Sequence, residues 1–520
     1  MRNGSPIAPA EAERPLVLTI DIGTSSVRAL AYDRQARLID GIGAQEHYEV
    51  HSAVDGASVD DPDAALVRVW RCIDAALAQA GPLAGQIGAV ALDTLVSNIM
   101  AIDATGRPLT PLITYADTRN ASDAEALRRD LDERAVHQRT GCLLRTSYWP
   151  ARLAWFRRTQ PDIWRQAARW ITIGEYLERA LFGESRVSYS AASWSGLLDR
   201  RALVWDRPLL DHLGLTPDQF SPLADVDAPL RGLRGHDSQG RAFAARWPAL
   251  RDVLWYPAIG DGAAANVGSG ATDPSRMALT VGTTGALRVV QLEVPEVPPG
   301  LWCYRIDRRR ALLGGATSEG GNVYAWLREA LNLGAPAAIE QALAALPPDA
   351  HGLTVLPFLA GERSPGWAGD VRATIHGLGL NTTPIEILRA SIEAIAYRFA
   401  LIFERLDTGD LRLVSNPQTQ ASSPKPRASR LIASGGALLS SPTWMQVIAD
   451  TLGWPVVASE ELEATSRGVA LLALESLGAI GSLDELPAAD GTAYEPNLAH
   501  HAIYQTAIKR QRELYERFYH

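Results

Sequence analysis

The sequence predicts a duplicated α/β fold made of two large domains. A chain of 520 residues exceeds what a single hydrophobic core usually organises, so two domains are expected. Two strand–turn–strand units, at 16–32 and 278–290, each place a Gly/Thr-containing turn between short apolar runs. A strand, a Gly turn and a helix follow at 431–452. This repetition favours duplication of one α/β unit.

The elements are predicted in chain order from apolar periodicity and from the residues that start and stop helices and strands. They are a hairpin at 16–32, a helix at 64–80, a strand at 87–92, helices at 123–139 and 147–158, a hairpin at 278–290, a helix at 385–406, a strand at 431–433 and a helix at 442–452.

The domain boundaries follow from changes in composition. We predict a disordered tail at 1–15, an N-terminal substrate-side domain at 16–256, a C-terminal nucleotide-side domain at 257–485 and a C-terminal extension at 486–520. Within the second domain, the Ser/Pro-rich stretch 416–430 predicts a flexible insertion, because it has no apolar period.

Composition narrows the classes of partner. A net charge of -9 and a pI near 5.7 argue against nucleic acid. Three widely spaced cysteines form no disulfide or metal pattern and suit a reducing compartment. No secretory signal and no apolar run long enough to span a bilayer are present. We therefore expect a cytoplasmic protein with small-molecule partners and without nucleic-acid or membrane partners; a homodimer stays open.

The lysine content excludes two common phosphate-binding designs. Only Lys425 and Lys509 are present, and neither lies in a Gly-rich loop. P-loop enzymes and protein kinases both place a lysine on the phosphates of the nucleotide. Neither design is available to this chain.

The first hairpin carries a candidate phosphate site. Asp21 ends an apolar run and is followed by Gly23, Thr24, Ser25 and Ser26. Backbone N–H groups at such a turn suit phosphate oxygens, and the neighbouring carboxylate suits Mg²⁺. An ordinary hairpin turn is the alternative. A second turn, Gly282-Thr283-Thr284, offers the same groups from the other half of the chain.

Asp261 is the candidate general base. It lies between Gly260 and Gly262, at the start of a predicted helix. A carboxylate at such a turn can accept the proton of a substrate hydroxyl during phosphoryl transfer. The alternative is an N-cap aspartate that satisfies backbone donors.

Taken together, these segments resemble the FGGY family of carbohydrate kinases, over nearly the whole chain. The matching pieces, in order, are DIGTSSVRALAYD (21–33), GDGAAANVGSG (260–270), LTVGTTGALRV (279–289), LPFLAGERSPGW (356–367) and ASGGALLSSPTWMQVIADTLGWPV (433–456). The resemblance implies a two-domain actin-like (ribonuclease H-like) ATPase fold with a catalytic cleft between the domains. It also implies transfer of the γ-phosphate of MgATP to a substrate hydroxyl.

The resemblance assigns roles by position. Asp261 is expected to be the catalytic base, and Asp21 the Mg²⁺-associated carboxylate. The two turns are expected to hold the ATP phosphates, and three further residues to cradle the adenosine end. The expected ATP-binding residues are Gly23, Thr24, Ser25, Ser26, Gly282, Thr283, Thr284, Gly321, Gly436 and Ser440.

The N-terminal half is most similar to the gluconokinase branch of that family, in the segments at 100–119, 173–177 and 188–197. This implies gluconate as the first candidate substrate. The chain departs from the pattern at Val96-Ser97, where gluconokinases and xylulokinases show Met-His. The expected substrate-binding residues are Ser97, Asn98, Tyr115, Asp117, Arg119, Glu175 and Asp261.

Alternatives remain at this point. A kinase for a ketopentose (xylulose or ribulose), or for a short polyol such as erythritol, would use the same ATP machinery. A catalytically inactive sugar-sensing homologue would keep the fold without turnover. A chaperone or filament ATPase of the same superfamily would lack an acid such as Asp261 on the substrate side.

Overall fold

The structure is a computed structural model that describes residues 6–237, 239–407 and 430–519. The predicted insertion at 416–430 lies outside the described residues, except for Arg430, which begins a strand.

Strands of the first half of the chain form one large sheet and several small ones. They are β1 (Leu16–Ile22), β2 (Ser26–Tyr32), β3 (Leu38–His47), β4 (His51–Ser52), β5 (Ser58–Asp60), β6 (Ile87–Thr94), β7 (Met100–Ile102), β8 (Leu112–Ile113), β9 (Arg169–Ile171), β10 (Val187–Ser188), β11 (Leu198–Asp199), β12 (Val204–Trp205), β13 (Leu223–Ala224), β14 (Leu254–Trp255) and β15 (Ile259–Gly260).

Strands of the second half form the other large sheet and one small hairpin. They are β16 (Arg276–Val281), β17 (Gly285–Gln291), β18 (Trp302–Arg305), β19 (Ala311–Thr317), β20 (Thr354–Leu356), β21 (Thr374–His376), β22 (Arg430–Ser434), β23 (Val456–Ser459) and β24 (Asp490–Tyr494).

Helices cover these sheets. They are α1 (Pro62–Ala80), α2 (Ala121–Asp130), α3 (Glu133–Thr140), α4 (Trp149–Thr159), α5 (Pro161–Gln166), α6 (Ile173–Phe182), α7 (Tyr189–Ser195), α8 (Arg207–Leu213), α9 (Phe243–Arg246), α10 (Asp261–Gly268), α11 (Gly321–Ala330), α12 (Pro336–Ala344), α13 (Pro384–Asp407), α14 (Gly436–Leu439), α15 (Pro442–Leu452), α16 (Ala464–Ser476) and α17 (Leu498–Tyr519). None of these helices is both long enough and apolar enough to cross a bilayer.

The two large sheets repeat one topology. The first runs β14-β6-β1-β2-β3, with β15 also paired to β6, and the second runs β18-β19-β17-β16-β22-β23-β24. In each, an antiparallel three-stranded meander continues into a parallel strand, which is β6 in the first sheet and β22 in the second. This shared order confirms the predicted duplication.

Several boundaries differ from the predicted ones. The helix predicted at 123–139 is two helices, because the Asp132 carboxylate caps α3 by accepting the N–H of Ala135 at 3.1 Å. Residues 6–15 are not a disordered tail: the N–H of Ile7 donates to the Leu38 carbonyl, and the N–H of Asp40 donates to the Ile7 carbonyl. A bridge to β3 therefore orders this segment.

Two of the predicted domain limits also differ from those in the structure. The first sheet extends past the predicted boundary at residue 256, because β15 (Ile259–Gly260) pairs with β6. The predicted extension at 486–520 is part of the second domain. Its strand β24 pairs with β23, and Tyr504 on α17 is buried and accepts a hydrogen bond from Arg389 at 2.9 Å.

Helices α10 and α16 join the two domains by direct backbone contact. Helix α10 follows the first sheet, whereas α16 follows β23 of the second sheet and packs against β1 and β6 of the first. A Cβ atom on Gly268 would lie 1.7 Å from the Ala464 carbonyl oxygen, and one on Gly468 would lie 1.9 Å from that of Ala264. Only glycine fits at either position of this crossing.

We predict that Gly468→Ala lowers the free energy of unfolding by about 3 kcal/mol, because overpacking at a contact of two backbones cannot be relieved by a rotamer change. Urea unfolding followed by circular dichroism measures the effect. The control is Gly85→Ala, at an exposed position where an added Cβ meets no neighbouring atom. Equal midpoints for wild type and Gly468→Ala would contradict this account of the crossing.

Candidate active site

A cavity of about 200 Å³ lies between the two domains at the start of α10. One wall comes from the first domain and the other from the β16–β17 hairpin and the loop after β20. The lining residues are Val96, Ser97, Tyr115, Ser147, Tyr148, Trp194, Asp261, Gly262, Thr280, Thr284, Gly285, Ala286, Arg288, Trp302, Tyr304, Ala316 and Arg363.

Asp261 lines this cavity as the first residue of α10. Its Oδ1 accepts the N–H of Gly262 at 2.7 Å. Gly260, not Asp261, occupies the N-cap position, so the N-cap alternative does not describe it. Burial, together with the negative charge of Asp21, raises the pKa of Asp261 to about 7. A carboxyl group with that pKa is suited to accept a proton near neutral pH.

Asp21 ends β1 beside a second buried acid, Asp93, at the end of β6. The two residues are register partners in parallel strands, so their side chains lie on the same face of the sheet. Arg28 Nη1 lies 3.6 Å from the Asp21 carboxylate. Burial raises the pKa of Asp21, and burial together with the charge of Asp21 raises the pKa of Asp93. This concentration of carboxyl groups suits a divalent cation.

The first turn presents free backbone donors at the cleft. Its ends are closed by the N–H of Gly23, which donates to the Ser26 carbonyl at 3.0 Å. Thr24 and Ser25 are exposed at the tip, and their N–H groups have no acceptor among the described residues. Ser26 is buried and bonds to Gln45, so its hydroxyl is already engaged.

The second turn offers the same groups from the opposite domain. The N–H of Gly282 donates to the Thr284 carbonyl at 3.0 Å, and Thr283 and Thr284 are exposed, with N–H groups that lack an acceptor in the described part of the chain. The turn is clamped to the start of α11, because the N–H of Gly321 donates to the Gly282 carbonyl at 2.7 Å. Turns of this kind suit phosphate oxygens.

The glycines after β22 approach the second turn closely. Gly435 has φ 95°, and a Cβ there would lie 2.4 Å from the Val281 carbonyl oxygen. Gly436 begins α14, where an added Cβ would meet nothing within 4 Å. Ser440 is exposed at the end of α14 and donates to the Ala437 carbonyl at 3.0 Å. Gly321 packs closely against α14, because a Cβ on Gly321 would lie 2.6 Å from the Cβ of Ala437.

Among the predicted substrate residues, Ser97 and Tyr115 reach the cavity together with Asp261. Ser97 has φ 56°, and its backbone carbonyl accepts a hydrogen bond from the buried Arg152. Its hydroxyl donates to the Trp194 carbonyl at 2.6 Å. Ser97 therefore shapes the cavity wall with its hydroxyl already engaged.

Four other predicted substrate residues do not line this cavity. Asn98 bridges the Leu95 carbonyl and the N–H of Ile173, and Glu175 forms a capping box with Thr172 at the start of α6. Asp117 and Arg119 form an ion pair at 2.7 Å, and the Arg119 guanidinium lies 4.7 Å from the ring centre of Trp155. All four are engaged inside the first domain, where they support the cavity wall.

Sequence reasoning missed the two arginines that do line the cavity, Arg288 on β17 and Arg363 after β20. The Nε of each is buried without an acceptor, and no carboxylate of the described residues lies at ion-pair distance from either. Burial lowers the pKa of Arg288 to about 10. In the sequence, Arg288 could have been noticed because it lies four residues beyond the second turn, on the strand that follows this candidate phosphate site.

An aromatic wall completes the cavity and was also missed. The rings of Trp194 and Tyr304 stack at 3.5 Å between centres, and the hydroxyls of Tyr148 and Tyr304 lie 2.5 Å apart. These residues come from α7, β18 and the turn before α4, so no local pattern in the sequence links them.

The fold and the cleft are typical of one class of protein, the two-domain kinases that phosphorylate small hydroxylated molecules. Models of the FGGY family of carbohydrate kinases match the chain twice, with the N-terminal domain at 16–234 and the C-terminal domain at 277–477. The chain belongs to this family. The predicted family and two-domain fold are thereby confirmed.

Relatives with different substrates are similar to the chain. A gluconokinase of Bacillus subtilis is 27% identical, over 96% of this chain and 94% of that protein. A glycerol kinase of Polaromonas sp. is 28% identical, over 95% of this chain and 99% of that protein. A ligand-bound xylulose kinase structure from Lactobacillus acidophilus has a TM-score of 0.85 at 24% identity, over 96% of this chain and 98% of that one.

We predict that Asp261→Asn lowers kcat by a factor of about 10² to 10⁴, because an amide cannot accept the hydroxyl proton. Nucleotide binding and the unfolding midpoint should stay near wild type. A coupled ADP-release assay and calorimetry measure the two effects, with the exposed Asp40→Asn as the matched control. Retention of more than about a tenth of wild-type kcat would remove Asp261 from the role of base.

Proposed function

We propose that this carbohydrate kinase transfers the γ-phosphate of MgATP to a hydroxyl of a sugar acid, with gluconate as the leading candidate. The observation that carries the proposal is the pair of cavity arginines, Arg288 and Arg363, without a carboxylate partner in the described chain. The similarity to gluconokinases supports it. Action in the cytoplasm is part of the proposal.

The argument for an acidic substrate is electrostatic. Buried guanidinium groups in proteins are normally paired, because an unpaired buried charge is costly. In the same domain, Arg310 pairs with Glu475 at 2.5 Å and Arg389 pairs with Glu393 at 2.6 Å. Arg288 and Arg363 are partly buried, line the cavity and have no carboxylate at ion-pair distance among the described residues, so an anion supplied by a ligand would complete the site.

Either of two ligand anions could pair with these arginines: the carboxylate of a sugar acid or the transferred phosphate. Arg288 lies deep beside the first-domain wall: a Cβ on Gly262 would be 3.7 Å from its Nη2 and 3.2 Å from the Trp194 ring. That position, beside Asp261 and the aromatic wall of the first domain, favours the substrate carboxylate. A guanidinium binds a carboxylate through paired, charge-assisted hydrogen bonds.

The residues present also fit the nucleotide and its metal. Free N–H groups at Thr24, Ser25, Thr283 and Thr284 suit phosphate oxygens, and the acids at the ends of β1 and β6 suit Mg²⁺. Bound Mg²⁺ would neutralise part of the triphosphate charge. Asp261 would take the proton of the substrate hydroxyl, whose oxygen bonds to the γ-phosphorus as the bond to ADP breaks.

We predict that Arg288→Met lowers kcat/KM for gluconate by at least about tenfold, or about 1.4 kcal/mol, relative to neutral substrates. Arg119→Ala is the control: its guanidinium is held by Asp117, so its loss should change all substrates by a similar factor. The measurement compares gluconate with xylulose, ribulose, erythritol and glycerol for each variant.

Three outcomes count against the acidic substrate. Preference of the wild-type enzyme for a neutral ketose or polyol would contradict it. If Arg288→Met lowered kcat/KM equally for all substrates, Arg288 would be assigned to the transferred phosphate instead. Absence of turnover with every substrate would favour the sugar-sensing alternative.

We predict that Gly436→Val weakens ATP binding by at least about tenfold, or about 1.4 kcal/mol. An added Cβ at Gly436 meets nothing within 4 Å, so the variant should fold normally and place its methyl groups in the space proposed for adenosine. Calorimetric titration measures the affinity, and Gly85→Val at an equally open position is the control. Unchanged ATP affinity would place the nucleotide elsewhere.

A further inference from the structure

We propose that Asp93 is a second protein ligand of the divalent cation that Asp21 is expected to hold. Asp93 is the last residue but one of β6, and it is the register partner of Asp21 in the neighbouring parallel strand. Its side chain is fully buried, and neither carboxylate oxygen has a hydrogen-bond donor among the described residues. The inference rests on the proposed use of MgATP.

A buried carboxylate without a donor is unusual and needs a partner. Asp33, directly after β2 and equally buried, shows how this chain satisfies such a group. It accepts the N–H groups of Gln35 and Arg37 at 2.9 and 3.0 Å, and the Arg37 guanidinium at 2.6 Å. Among the described residues, no N–H group or guanidinium donates to Asp93 in this way. Its neighbour on the adjacent strand, Asp21, is itself an acid.

The charge around Asp93 is also out of balance. Burial raises the pKa of Asp93, and the negative charges of Asp21 and Asp261 raise it further, so three acidic groups lie close together. Arg28 is the guanidinium at ion-pair distance from this group, and it is shared with Glu463 at 3.0 Å. Excess negative charge in a low-dielectric cleft favours a small divalent cation, and carboxylate oxygens are the ligands that Mg²⁺ prefers.

A competing account is that Asp93 is a neutral carboxylic acid that donates a hydrogen bond to Asp21. Asp93→Asn separates the two accounts, because an amide can still donate but carries no negative charge. Asp93→Ser provides a second variant with a smaller polar side chain, in case the amide cannot be accommodated.

The experiment measures cation binding without turnover. Mn²⁺ binding to the full chain is titrated by electron paramagnetic resonance without sugar or nucleotide, and the Kd of ADP is measured by calorimetry in EDTA and in Mn²⁺. Unfolding midpoints without metal confirm that each variant folds. Asp40→Asn, an exposed change on the same sheet, is the matched control.

We expect Asp93→Asn and Asp93→Ser to bind Mn²⁺ at least about tenfold more weakly than wild type and Asp40→Asn. They should also lose most of the tightening of ADP by Mn²⁺, while ADP in EDTA binds as in wild type or more tightly, because a repulsive charge is gone. Wild-type Mn²⁺ affinity in both Asp93 variants would overturn the inference. Failure of wild type to bind ADP would refute the proposed function instead, and the direct Mn²⁺ titration would still decide the role of Asp93.

Discussion

The backbone contact between α10 and α16 is the constraint on which the rest of the structure depends. Gly268 and Gly468 let the two helices approach so closely that carbonyl oxygens occupy the space of a side chain. Because α16 follows the second sheet and also packs on the first, this crossing ties the two halves together. Helix α10 begins at Asp261, so the same crossing fixes the candidate base relative to both phosphate turns. The same contact between α10 and α16 therefore holds the domains together and positions the candidate base.

The cleft is electrically asymmetric. Acidic groups come from the first domain and its connecting helix, at the ends of β1 and β6 and at the start of α10, whereas the cavity arginines come from the second domain. A cation held on one side and an anionic substrate held on the other would each neutralise the protein surface beside it. In a cleft with little water, such fixed charges act strongly because they need not reorganise during the reaction. The arrangement suits transfer of a phosphoryl group between two anionic molecules.

A supporting layer surrounds the cavity. Arg119 holds Asp117, Asn98 ties the end of β6 to α6, and Arg152 holds the carbonyl of Ser97, which has a positive φ. None of Asn98, Asp117, Arg119 and Arg152 lines the cavity. Asp117 and Arg119 belong to the segment 100–119 that resembles gluconokinases, so likeness in that segment reflects the support of the cavity wall as much as contacts with substrate. The side chains that reach the cavity include ones that project from other elements, such as Arg288 on β17 and Tyr304 on β18.

The sequence by itself determined the duplicated α/β architecture, the two Gly/Thr hairpin turns and the place of Asp261 at the start of a helix, because each depends on neighbouring residues in the chain. Apolar runs ending in Gly/Thr turns specify hairpins locally, and the helix α15 was predicted with both of its ends. Asp93 could have been noticed too, since it ends an apolar strand just as Asp21 does. Only the tertiary structure decided which polar groups share the cavity. Arg119 was paired within its own domain, whereas Arg288 and Arg363 met Asp261 across the cleft, because such contacts depend on the packing of the two domains and on which charges lack a partner.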